Sequence, residues 1–188
     1  LFILSCNANP KLDFYIITDQ IINDANNVHF IIMSFSKFKE RVQKCFDFQI
    51  MLDKPYKICD YRPAFGVIFS DLLEKYDFWG HCDIDEIFGS ISDYIDDSIL
   101  NRYDKIYQQG HLALYRNVDR INKAYCLKGG QDYHSIFTTK ISCVFDEIGG
   151  IQEIFDANNI LTYKALNCAD ISTKHYQFRL CDYLQKGK

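Results

Sequence analysis

Several broad classes are excluded by what this chain lacks. No apolar run approaches the ~20 residues of a membrane-spanning helix. There is no surplus of positive charge, because 21 Lys plus Arg face 25 Asp plus Glu and leave a net charge of −4. A broad nucleic-acid or anionic-membrane surface is therefore not expected. Glutamate is scarce, 5 residues against 20 aspartates, and there are only 3 prolines and 1 tryptophan. The eight cysteines, at 6, 45, 59, 82, 126, 143, 168 and 181, include no Cys-x-x-Cys pair, so no zinc ribbon or dithiol redox motif is present. Gly129-Gly130 lacks the spacing of a P-loop or a dinucleotide fingerprint. No internal repeat or low-complexity linker stands out. The start at Leu1 carries no charged region leading into an apolar stretch and cleavage site, so no signal peptide is expected, and the abrupt opening reads as a fragment.

What is present supports a packed core. Apolar residues make up 48% of the 188 residues and aromatics 15%, enough to exclude disorder for want of burial. The length fits one domain, residues 1–188, truncated at its beginning. A chain of this size needs no disulfides, and most cysteines lie in apolar stretches, which points to reduced thiols in a cytoplasmic protein.

Periodicity outlines alternating elements. Asp13–Thr18 and Val28–Met33 are short, continuous apolar runs and read as strands buried on both faces. Ser34 or Ser36 can cap a helix running to Phe46, with Phe35, Phe38, Val42 and Phe46 at spacings of three and four. Pro63 at a first turn predicts a helix to Tyr76. Asp77–Ile84 and His111–Tyr115 read as further strands, Asn117–Leu127 as a helix stopped by Gly129, and Gly150–Asp156 as another helix. Asp93, Asp96 and Asp97 form a solvated face or start a helix, and Trp79 reads as core packing. Strands alternating with helices predict an α/β fold with a mainly parallel central sheet flanked by helices, whose ligands would bind beyond the carboxyl ends of the strands.

Two segments carry chemistry. Asp83-Ile84-Asp85 follows the third strand, and in extended chain residues i and i+2 point the same way, so Ile84 can face the core while both carboxylates face outward. Such an oxygen pair suits Mg²⁺ or Mn²⁺. With this many aspartates, roughly two Asp-x-Asp triplets arise by chance, so position carries the weight against a solvated acidic turn. The second segment, Lys54 to Pro63, packs Tyr56, Lys57, Asp60, Tyr61 and Arg62 ahead of the expected helix. Arg62 can pair with a phosphate at a helix N-terminus and a tyrosine can stack on a base; the plainer reading is an Asp60–Arg62 surface pair and an ordinary cap.

The ordered series KPYKICDYRPAFGVIF, YDFWGHCDIDEIFG, GHLALYRN and FDEIGG, between Leu4 and Gly150, resembles a bacterial glycosyltransferase-like family associated with surface polysaccharide synthesis. The resemblance implies the nucleotide-diphospho-sugar transferase (glycosyltransferase A-type) fold, here lacking its first strand. It implies that Asp83 and Asp85 hold Mn²⁺ or Mg²⁺ against the diphosphate of a nucleotide-sugar donor. It places Asp60 and Arg62, with Lys57 and Tyr56, at the donor, and His111, Arg116 and Asn117 beside the sugar. Asp146 and Glu147 would face an acceptor hydroxyl, one of them as a general base. A third metal ligand is not evident; His134 and His175 are candidates, with a structural or solvated histidine the plainer reading for each.

The expected activity is sugar transfer to a glycan or lipid-linked acceptor, in the cytoplasm or at the inner face of the membrane, without nucleic acid as a partner. Two alternatives stay open. A catalytically silent binding or assembly module on the same fold would follow from the missing first strand and third ligand. A metal-dependent phosphoester hydrolase would need more ligands than the sequence offers.

Overall fold

The computed structural model describes residues 1–165 and Cys168; His175 and Cys181 lie outside the described residues. Helix α1 (Phe2–Asn7) leads into β1 (Phe14–Thr18) and β2 (Val28–Ile32), which pair in parallel with Phe14 opposite Val28. These strands are only half-buried along most of their length, and Ile32 is 49% exposed, so they are not the doubly covered strands their apolar runs predict. Helix α2 (Phe35–Gln43) starts at the expected cap, where Ser34 Oγ accepts from the Lys37 amide, and buries Phe38 and Val42.

The segment from Pro55 to Ala64 is a 3₁₀ helix, followed by α3 (Phe65–Ile68) and α4 (Ser70–Leu73). Pro63 therefore sits inside a helical turn and does not open one. Asp60 lies mid-helix and Arg62 in the last turn, both away from the N-terminal amides that an anion site there would need.

The larger sheet has the order β3 (Phe78–Cys82), β5 (Leu112–Arg116), β4 (Lys105–Ile106), β6 (Thr162–Tyr163). β3–β5 and β4–β5 are antiparallel and only β4–β6 is parallel. The architecture is α/β with mixed sheets, which corrects the expectation of a mainly parallel one. A β-strand alternates its side chains between faces, and both faces are covered here. Trp79, Ala113 and Tyr115 enter the larger core with Tyr61, Phe137, Phe145 and Phe155. Phe78, Leu112 and Leu114 face a second cluster around Ile91, Ile95 and Ile106. Trp79 is core, as expected: its ring stacks on Tyr115 at 4.5 Å and its indole N–H donates to Asn122 Oδ1 at 2.6 Å.

The remaining helices are short. α5 (Asp97–Arg102) is capped by Asp96, α6 (Asp119–Asn122) gives way to a 3₁₀ turn, and α7 (Tyr133–Thr138) is capped by Asp132. A π-helical turn over Ile148–Gln152 runs into α8 (Glu153–Ala157). All seven described cysteines are free thiols. No helix of the described residues is long and apolar enough to cross a membrane.

Candidate cation site

The register of β3 and β5 builds the site. Cys82 pairs with Leu112, and one residue further the Asp83 amide donates to the His111 carbonyl at 3.1 Å. Asp83 and His111 are thus neighbours by strand geometry. The chain then turns at Ile84-Asp85, which breaks the strand alternation and brings Glu86 back toward His111. His111 Nδ1 lies 3.6 Å from Asp83 Oδ2 and 3.3 Å from Glu86 Oε1, and one ligand atom from each of the three residues lies within 4.8 Å of the others. Each side chain is about one-third exposed, open enough to admit an ion.

Asp85 is not in this group. It is exposed and has no hydrogen bond or ion pair among the described residues. The i, i+2 rule fails there because the strand ends at Cys82, before the triplet begins. Glu86 is the acid that sequence reasoning missed. The signal was in the chain, since Glu86 follows the triplet directly and precedes Gly89. His134 is exposed against Phe48 at a centroid distance of 4.3 Å and takes no part.

Arg62 joins this group to the interior. Its Nη2 donates to Asp83 Oδ1 at 2.6 Å and its Nη1 to Asp146 Oδ2 at 2.9 Å. Burial works against the charge on Arg62, but the hydrogen bond to Asp83 and the surrounding acids outweigh it and hold the guanidinium above its ordinary pKa. Asp146 is 2% exposed. Burial pushes its carboxyl up to about 6 against the pull of Arg62, with Glu147 adding to the rise. Asp146 therefore has no open face toward an acceptor hydroxyl. Glu147 is half-buried and accepts from the Gly110 amide at 2.9 Å. A Cβ at Gly110 would lie 2.6 Å from Glu147 Oε1 and 3.1 Å from Asp146 Oδ2, so a side chain there would push the Glu147 carboxylate aside. Burial, with the nearby charges of Arg62 and Lys105, holds the His81 imidazole well below its ordinary pKa, and its Nε2 lies 3.4 Å from the Tyr115 hydroxyl.

Four of the residues assigned to donor binding are occupied inside the protein. Asp60 is fully buried and accepts from the amides of Cys143 and Phe145 and from Lys57 Nζ at 2.7 Å. Lys57 spends its remaining donors on the carbonyls of Ile136 and Ile141. Arg116 is bound to Asp104 and to the carbonyls of Leu100 and Tyr103, and lies over the Phe78 ring. Asn117 bonds the carbonyls of Leu73 and Tyr76 and accepts from Asn122. Tyr56 is 72% exposed.

Beside the group lies a cavity of about 480 Å³ that shares Glu86 and His111 with it. Its wall mixes rings (Phe88, Tyr94, Tyr107) with amides (Gln108, Gln109). The arrangement thus presents a carboxylate and an imidazole, Glu86 and His111, at the rim of an amphipathic cleft, with Asp83 and its partner Arg62 beside them.

The chain belongs to a protein family of unknown function, DUF6625, which matches it over residues 1–188. No curated protein and no solved structure matches it.

Proposed function

We propose that this chain is a divalent-cation-dependent glycosyltransferase domain of the A-type fold, acting on a nucleotide-sugar donor in surface polysaccharide synthesis. The observation that carries the reading is the convergence of Asp83, Glu86 and His111 at the edge of the cleft. The donor set fits the cation the motif series implies. Two carboxylates and one imidazole suit Mn²⁺, and the imidazole disfavours Mg²⁺, which takes oxygen almost alone. A cation bound there supplies positive charge against a departing diphosphate. The chain's own part is to hold the donor in the cleft, with the rings of Tyr94 and Tyr107 as apolar walls and the side-chain amides as hydrogen-bonding groups. Glu147, half-buried near Gly110, remains a candidate base for an acceptor hydroxyl, whether the acceptor is a glycan or lipid-linked.

Titration calorimetry with uridine and guanosine diphosphates, with and without Mn²⁺, tests this reading. Binding should require Mn²⁺, should be lost in Asp83→Ala plus Glu86→Ala, and should survive Asp85→Ala. Binding indifferent to the metal sinks the proposal.

A second reading is favoured by the withdrawal of Lys57, Asp60, Arg116 and Asn117 into internal contacts. It is a module on the same fold that binds cation and ligand without turnover. Donor hydrolysis by the wild-type chain, absent in the Asp83 and Glu86 double variant, excludes it.

A further inference from the structure

Among the described residues, Asp83 alone of the three groups that converge on the cation site has an oxygen committed elsewhere. Its Oδ1 is held by Arg62 at 2.6 Å while Oδ2 faces His111. A carboxylate pinned at one oxygen cannot rotate freely, so the other oxygen is aimed. Arg62 is itself pinned, because Asp146 takes its second nitrogen from a position almost wholly out of water. The guanidinium is planar, and its two nitrogens face two different carboxylates, so its plane fixes the line from Asp146 through to Asp83. We infer that Arg62, held from behind by Asp146, is the positioning residue of the cation site, aiming Asp83 Oδ2 at the point where Glu86 and His111 converge. The inference rests on the cation site proposed above. It gives Asp146 a supporting place behind Arg62, where the resemblance implied that either Asp146 or Glu147 would be a general base.

The sign of one measurement separates this role from the two simpler ones. If Arg62 were only a positive charge near the ion, or a competitor for Asp83, removing it would tighten cation binding. If it positions Asp83, removing it weakens binding, because outer ligands that orient a metal-binding group are typically worth about tenfold to a hundredfold in affinity. Arg62→Lys keeps the charge and loses the two-pronged geometry; Arg62→Gln loses both.

The test is Mn²⁺ titration of the full chain, read from the paramagnetic resonance signal of the free ion, with near-ultraviolet circular dichroism as the check on folding. Arg62→Lys and Arg62→Gln should each weaken Mn²⁺ binding by about tenfold or more. Asp146→Asn should weaken it in the wild-type background and have little further effect in Arg62→Gln, since both residues act along one line. Arg62→Gln leaves Asp146 buried without its partner; if that variant fails to fold, the double variant removes the orphaned charge and carries the comparison. Unchanged or tighter binding in the Arg62 variants overturns the positioning role while leaving the cation site standing. A wild-type chain that takes up no Mn²⁺ overturns the site, and the inference with it.

Discussion

Lys105 lies in the larger core with no exposed surface, its Nζ donating to Gln152 Oε1 at 3.0 Å and sitting over the rings of Tyr115 and Phe155. Burial lowers its pKa to about 7, only partly countered by Glu147, Asp156 and Asp146. In the unfolded chain the same amine stays charged to beyond pH 10. Between those values the unfolded state binds the extra proton, so stability rises with pH from about 7 upward. Urea unfolding at pH 7 and 8.5 should show a gain on the order of 1 kcal/mol per pH unit from this group, and Lys105→Met should flatten it. An unchanged slope in the variant would mean that another group carries the proton. Asp60 makes the opposite case of a well-supplied buried charge. Its oxygens collect two backbone amides and Lys57. Asp60→Ala strands Lys57 in the interior and should cost about 3–5 kcal/mol in chemical denaturation. A loss below about 1 kcal/mol would show that water replaces the carboxylate.

The short helices hold through their ends. Asp132 accepts from the Ser135 amide and hydroxyl at 2.8 and 2.7 Å and caps α7, which buries Ile136 and Phe137. Asp132→Ala should destabilise the chain by about 1 kcal/mol, measured as a shift in denaturant midpoint at unchanged slope. This cap was readable in principle, as Asp132 precedes an apolar stretch, but the pattern beyond Gly130 is too weak to select it. β1, β2, β3, β5 and α2 were legible because each is a full run of apolar or periodically apolar residues. β4 and β6 were not, since strands of two residues carry no period of their own and exist only through pairing with β5 and with each other. The site divides along the same line. Asp83, Arg62 and His111 stood out in the motif series, Asp83 as a cation ligand but Arg62 and His111 as donor-binding residues, so their convergence was not legible. Glu86 was hidden because its approach depends on where a strand stops. The burial of Lys57 and Asp60 was hidden because a buried ion pair and an exposed one read alike in sequence.

For the molecule as a whole, a ligand that binds only the folded chain must stabilise it. If Asp83, Glu86 and His111 hold Mn²⁺, the midpoint of thermal unfolding should climb with Mn²⁺ concentration, reaching about 2.7 kcal/mol of stabilisation at a hundredfold excess over Kd. Asp83→Asn should abolish the climb, and Asp85→Ala should leave it intact. A midpoint indifferent to Mn²⁺ argues against the site. The antiparallel rung that sets Asp83 against His111 also has an evolutionary corollary. The stretch that leaves β3 and returns through β5 can lengthen, shorten or be exchanged at its far end without moving the two residues apart, provided the hairpin-like register survives. Relatives of this chain should therefore differ most in the exposed turns of that excursion, beyond Glu86 and outside β4 and the Ile91, Ile95 and Ile106 cluster, altering what the cleft accepts while keeping its anchoring pair in place.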